Sequence, residues 1–266
     1  VTSGNSSRQS TALPTSLRVG GDSSGQSTTP PTTQRVVGIV VALPEELATL
    51  TSHRLAQGEC VCMAENILLG FAGAGPINAD QAARKLIAQG ANCLISWGCA
   101  AALAPQLKPG DLVVPEQVLS EQQVSDTDKQ WLQHLRHLSP PISAVSGTLS
   151  ESIHIVAGST EKQRIHQDTG ALALDMESAA VVKAAQQANL PCLVIRAIAD
   201  PVTMDLPQAV VHALNGQGRV ELSKLLRFLL THPWEIPALI KLGLHFNAAR
   251  TTLRKVAKQL NEIIHF

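Results

Sequence analysis

The chain has 266 residues, 44% of them hydrophobic, and its 21 basic side chains balance 21 acidic ones. That length and apolar content suit one large soluble domain with a substantial core, and the balanced charge excludes the global basic footprint that nucleic-acid binding needs. Five cysteines among apolar neighbours do not make a secreted disulfide framework, and Cys60-x-Cys62 lacks the second ligand pair of a zinc site, so a reducing cytoplasmic setting is expected.

Residues 1–34 are dominated by Ser, Thr, Gly, Gln and Pro and are expected to be a disordered tail. No apolar core of a secretory signal follows the early arginine, and no stretch is long enough to cross a bilayer. The run RVVGIVVA from Arg35 to Ala42 reads as a first buried strand. Pro44 then opens a helix with Glu45 and Glu46 in its first turn, where the helix dipole favours acids. A second strand spans Asn66 to Phe71. The turn Gly73-Ala74-Gly75-Pro76-Ile77-Asn78 leads into a helix to about Gln89 and can bring backbone N–H groups near a ligand. It lacks the dinucleotide glycine spacing and the P-loop lysine.

Cys93 to Trp97 forms a third strand, followed by a loop Gly98-Cys99-Ala100-Ala101-Ala102. After a short LVVP strand, residues Leu119 to Pro141 read as a polar surface insertion. His134 and His137, at i and i+3 without acidic or cysteine companions, belong to a solvated helix face and not to a metal site. Two short strands near Ala144–Leu149 and Ile153–Ala157 and a helix around Lys162–Gln167 complete this part.

The stretch from Ala171 to Pro201 carries the densest chemistry. A short apolar run ends at Leu174, Asp175 is a plausible helix N-cap, and Glu177 lies in the first turn. Leu190 to Ala199 is almost unbroken apolar sequence, as in a strand covered on both faces, and ends in Asp200-Pro201. Proline holds Asp200 extended at the carboxyl end of that strand, where open α/β sheets bind ligands. Arg196 lies inside the strand and needs a carboxylate or several carbonyls around it. On pattern alone these acids serve equally well as caps and dipole partners.

Beyond Pro201 three helical segments follow, from residue 220 to Thr231, from Pro233 to about His245, and from Asn247 to Ile264. Their Lys and Arg residues outnumber Glu221, Glu235 and Glu262 and interleave with Leu, Phe, Ile and Trp234. They suit a helical cover packed on the sheet, the commoner arrangement, or helices resting on an anionic membrane surface. The expected organisation is an α/β domain over 35–215 with a helical extension over 216–266 packed on it.

With these residues in view, four segments resemble the purine nucleoside phosphorylase superfamily, nearest its methylthioadenosine/S-adenosylhomocysteine nucleosidase branch. They are GIVVALPEEL from Gly38, GAGPINAD from Gly73, ISWGCAAALAPQLKPGDLVV from Ile95 and LDMESAAVVKAAQQANLPCLVIRAIAD from Leu174. The sequence from Asp205 to Leu260 resembles the hopanoid-associated phosphorylase subgroup, whose proposed substrate is adenosylhopane. The resemblance implies a single α/β domain with a central mixed, largely buried sheet flanked by helices, and a homo-oligomer that needs no cofactor, with phosphate as an optional co-substrate. The implied reaction releases adenine from an adenine nucleoside carrying a hydrophobic group. The branch's own substrates, and a non-catalytic nucleoside-binding protein of the hopanoid pathway, are the alternatives.

The resemblance also assigns roles. Asp200 protonates the departing purine, Glu46 activates water, Glu177 accepts the ribose hydroxyls and Met176 packs on the ribose. Gly98, Cys99 and Ala100 face the nucleophile. Arg196 joins the substrate-binding set, and because contact with Asp200 would oppose its protonation, it is expected to pair elsewhere, with Glu177 or Glu46 among the options. Several departures stand out. Cys99 and Ala101 replace the usual glycines or serine, Ala199 replaces a serine beside the acid, and Ser96 stands where some phosphorylases carry a phosphate-binding arginine, which favours water. The region 146–163 offers no aromatic ring for the base, leaving Trp97 as a candidate.

Overall fold

Val37–Val41 form β1 with all five residues buried, because helices cover both faces of the sheet: Val37, Ile39 and Val41 enter one core cluster and Val40 the other. The computed structural model describes residues 1, 35–121, 123–213 and 221–265. The disordered tail expected at 1–34 and the boundary expected at 215/216 fall outside the described residues.

In chain order β1 is followed by α1 (Pro44–Leu47), β2 (Glu59–Ala64), β3 (Ile67–Phe71), α2 (Pro76–Ala88) and β4 (Cys93–Ala102). Next come β5 (Leu112–Val113), β6 (Gln117–Leu119), β7 (Val124–Asp126), α3 (Lys129–Arg136), β8 (Thr148–Glu151) and α4 (Ser159–Thr169). Then β9 (Ala173–Asp175), α5 (Ser178–Gln187), β10 (Cys192–Asp200), α6 (Gln208–Ala213), α7 (Leu222–Thr231), a 3₁₀ turn (Pro233–Glu235), α8 (Ile236–Ala257) and α9 (Leu260–Ile264) complete the chain.

The strands make one mixed sheet in the order β2-β3-β1-β4-β9-β8-β6-β7, with β10 along β4 and β5 beside β10. The core splits by face. Helices α2 and α5 cover one side through Ala79, Ala83, Leu86, Val181 and Ala185, while α3, α8 and α9 cover the other through Trp131, Leu253 and Ile263. The expected α/β class with a buried mixed sheet flanked by helices is what the chain adopts. Among the described residues no helix is long and apolar enough to cross a membrane.

Strand β4 positions the site. Its first half, Cys93–Trp97, pairs in parallel with β1; Ala101 and Ala102 pair antiparallel with β9. Strand β10 runs along the other edge from Leu94 to Ala101. Residues 98–100 therefore have a strand partner on the β10 side only, and the opposite edge is a notch in the sheet. The stretch expected as a loop after Trp97 is thus strand, held straight by β10.

Other expectations need correction. Residues 119–141 are not a surface insertion: α3 buries Trp131, Leu132 and Leu135, and the Trp131 indole donates to Ile263 O at 2.6 Å. His134 and His137 do lie on the outer part of that helix, each on a backbone carbonyl. Residues 153–157 form no strand, because both edges of β8 are already taken by β6 and β9. The two helices expected on either side of residue 246 are one, since nothing there breaks the α8 hydrogen-bond ladder, and α8 runs unbroken for 22 residues.

Candidate active site

Four chain segments converge on the notch. The turn after β1 brings Glu46, the middle of β4 brings Cys99 to Ala101, the end of β9 brings Asp175 to Glu177, and the end of β10 brings Ala199 and Asp200. All of them line one cavity of about 280 Å³, whose remaining wall includes Ile155, Val156, Leu206, Leu242 and Phe246.

Glu46 is buried through α1, which the proline at its first position starts immediately after the strand. Its carboxylate accepts Leu43 N–H at 3.0 Å and Cys99 N–H at 2.7 Å, the latter a donor that the notch leaves without a strand partner. Gly98 permits this approach, for a Cβ there would stand 2.6 Å from Glu46 Oε1. Burial raises the Glu46 pKa, against the opposing field of Arg196 and the backbone donors. A raised pKa makes the Glu46 carboxylate a better proton acceptor than an ordinary one. Burial and the neighbouring Glu46 push the Cys99 thiol well above its ordinary range, so Cys99 is no thiolate nucleophile.

Glu177 occupies the N-cap of α5, and its Oε1 accepts Gly75 N–H at 2.8 Å across the notch. Gly75 sits at φ 96°, a left-handed conformation that turns the glycine-rich loop toward the site. Burial and the charge of Asp175 push the Glu177 carboxyl up to about 7. Met176 lines the cavity beside it.

Asp175 closes β9 and does not cap α5 freely as expected. Its Oδ2 receives Arg196 Nε at 2.6 Å and the Ser178 hydroxyl, and its Oδ1 receives Ser178 N–H. The Arg196 guanidinium also reaches Ser96 Oγ at 2.7 Å and Ile195 O at 3.2 Å. Arg196 therefore pairs away from Asp200, as anticipated, but its partner is Asp175 and not Glu177 or Glu46. Neither Arg196 nor Gly98 lines the cavity; both lie behind it. Ser96 is likewise buried under the site on that guanidinium.

Asp200 ends β10 at the cavity edge. Its Oδ2 receives the Lys162 ammonium at 2.6 Å; Lys162, on α4, is fully buried and also donates to Met204 O at 2.7 Å. Asp200 Oδ1 is buried with no hydrogen-bond partner among the described residues. Burial raises the Asp200 pKa while Lys162 lowers it, and the balance is upward.

Sequence reasoning missed Lys162, Leu242 and Phe246. Lys162 sits on a polar helix; the available signal was its i, i+3 position relative to Ile165, an inward-packed aliphatic side chain. Phe246 supplies the phenyl ring that residues 146–163 lack, and the His154 imidazole from that stretch lines the same cavity. Trp97 cannot, because it is buried in the core with its indole donating to Thr49 Oγ1 at 3.0 Å. Among the described residues no cluster of metal-ligating side chains occurs.

A family model described as the phosphorylase superfamily matches residues 36–229. The 5'-methylthioadenosine/S-adenosylhomocysteine nucleosidase of Mycobacterium tuberculosis is 24% identical over 216 residues, 62% of this chain and 85% of its own length, and the Mycobacterium bovis protein matches equally. The fold is similar to that of the Helicobacter pylori nucleosidase of the same name, solved with butyl-thio-DADMe-Immucillin-A (TM-score 0.64, 17% identity, covering 87% of this chain and 98% of that one). It is also similar to that of Helicobacter pylori futalosine hydrolase (TM-score 0.63, 17% identity, 87% and 97%).

Proposed function

Since the chain belongs to the phosphorylase superfamily, we propose that it is an enzyme that cleaves the N-glycosidic bond of an adenine nucleoside by hydrolysis. One observation carries the reading: Glu46, Glu177 and Asp200 line a single cavity, and Asp200 keeps one buried oxygen without a partner.

Adenine leaves readily only as a neutral base, so a proton must reach its imidazole nitrogen as the sugar gains oxocarbenium character. Asp200 Oδ1 is the donor. Lys162, fixed on Oδ2, stabilises the carboxylate that remains and so strengthens the acid, a support that the hydroxyl missing at Ala199 would otherwise share. The C–N electron pair departs with the base. Water attacks the anomeric carbon and gives its proton to Glu46, and the proton gained there balances the one lost from Asp200 once both exchange with solvent. Glu177 accepts the ribose hydroxyls through Oε2 and the remaining lone pair of Oε1, with Met176 against the sugar.

The charge lining the cavity supports water over phosphate as nucleophile. Glu46, Asp175, Glu177 and Asp200 line it and no Lys or Arg does, while the nearby Lys162 and Arg196 are held by Asp200 and Asp175. A phosphate dianion would meet four acids and no guanidinium fork, with His154 the basic side chain in the lining. The apolar wall of Ile155, Val156, Leu206, Leu242 and Phe246 supports a nucleoside with a bulky apolar 5′ substituent, of the adenosylhopane type, over a small polar one.

Purified protein is to be incubated with adenosylhopane, methylthioadenosine and adenosylhomocysteine, with and without phosphate. Adenine and a free sugar released without phosphate, fastest from the apolar substrate, is the expected result; no adenine from any of them rejects the enzyme. Cys99, Ala101 and Ala199 motivate the rival, a nucleoside-binding protein without turnover, for which binding would persist unchanged in Asp200→Asn.

A further inference from the structure

Helix α7 has no buried residue, and α8 buries side chains only from Ala249 onward. The two helices repeat one pattern fourteen residues apart. Leu222, Leu226 and Leu230 stand at i, i+4 and i+8 on α7, with Arg227 at i+5. Ile236, Ile240 and Leu244 stand at the same steps on α8, with Lys241 at i+5. At one hundred degrees per residue each trio forms a narrow stripe with a cation on its flank. All six apolar side chains are exposed, Leu230 by 85%, and Trp234 between the helices by 69%.

A soluble surface rarely carries so many large exposed apolar side chains on two consecutive helices without an occupant. Charge decides which. Over residues 221–246, the stretch that holds both stripes, Lys224, Arg227 and Lys241 stand against Glu221 and Glu235. Both acids are engaged, Glu221 with Lys224 at 3.0 Å and Glu235 with Ala209 N–H. A second copy docked on this face by a two-fold axis would set cations against cations, whereas anionic lipid headgroups complement them. The pattern of apolar stripe, flanking cations and a tryptophan at the joint is that of helices lying in a membrane interface.

We propose that α7 and the front half of α8 dock on an anionic lipid surface. The opposite face of α8 carries Leu242 and Phe246 into the cavity, so the same helix would join the lipid to the site. The proposal concerns lipid binding alone and does not depend on the reaction assigned above.

The full chain is to be sedimented with vesicles of phosphatidylcholine containing one third phosphatidylglycerol, and with pure phosphatidylcholine. The chain should pellet with the first and far less with the second. Each cation at an anionic surface contributes about fivefold, so R227Q/K241Q should bind roughly 25-fold more weakly. L226D/L230D/I240D should abolish pelleting while keeping the thermal melt of the parent protein. No pelleting of the parent chain overturns the proposal. So does a dimer, seen by analytical ultracentrifugation, that the triple variant dissociates and that excludes vesicles.

Discussion

Two buried ion pairs among the described residues differ in character, Asp175–Arg196 beneath the cavity and Asp200–Lys162 at its edge. In the first, Asp175 has both oxygens occupied and the guanidinium reaches Ser96 and a carbonyl besides. In the second, the ammonium is as well surrounded, but one carboxyl oxygen of Asp200 has no partner. A fully satisfied pair fixes geometry and has nothing left to give a ligand. A half-satisfied one in a cavity wall has a site for an incoming group, and its burial is tolerable because the carboxyl can be neutral.

The largest effect that tests this contrast is chemical. Asp200→Asn should lower kcat for adenine release by about 10² to 10⁴ with KM little changed, because the amide keeps the shape and cannot pass on a proton. Steady-state kinetics read it directly, and an unchanged kcat would remove the distinction between the pairs.

Next is stability. Arg196→Met strands Asp175 as an uncompensated buried charge and should cost about 3–5 kcal/mol in urea unfolding. Lys162→Met should cost less than half as much, since Asp200 can take up a proton. Its signature lies in the pH profile: without the cation that lowers the Asp200 pKa, the alkaline limb of kcat should move to higher pH. A purely structural lysine would leave that limb in place.

Smaller, and a refinement of the comparison, is the behaviour of Glu177, which lies between the pairs. Its folded pKa of about 7 is raised above the ordinary 4.5, so the native state holds the proton more tightly than the unfolded chain. The resulting stability is fully present below about pH 4.5 and is lost as pH rises through about 7, by at most about 3 kcal/mol. Over the same range kcat/KM should climb as the carboxylate that grips the ribose forms. Glu177→Gln should flatten the stability slope, measured by denaturation at a series of pH values.

These contrasts also mark how far the amino-acid order alone leads. Asp200 is legible because a long apolar run ends in Asp-Pro, whereas Pro44 marks only where a helix starts and the family resemblance singles out Glu46 from Glu45. Strands β1 and β10 declare themselves by unbroken Val and Ile. Lys162 is not legible, since a lysine in a polar helix looks the same whether solvent or a carboxylate receives it. The choice of Asp175 as the Arg196 partner depends on β9 aligning beside β4, a pairing only two residues long. Phe246 lies forty-six residues beyond Asp200, and only the packing of α8 against β10 brings the two together. Local pattern locates the acids, whereas long-range contacts choose their companions.

The break in pairing along β4 has a further consequence. Cys99 and Ala100 are tethered to the sheet through one edge and line the cavity, so side-chain identity there is decoupled from the ladder that holds the strand. Exchanging a glycine or serine for Cys99 alters the lining without loosening a single rung. A fault line of this kind lets a lineage retune what it binds while the scaffold stays put.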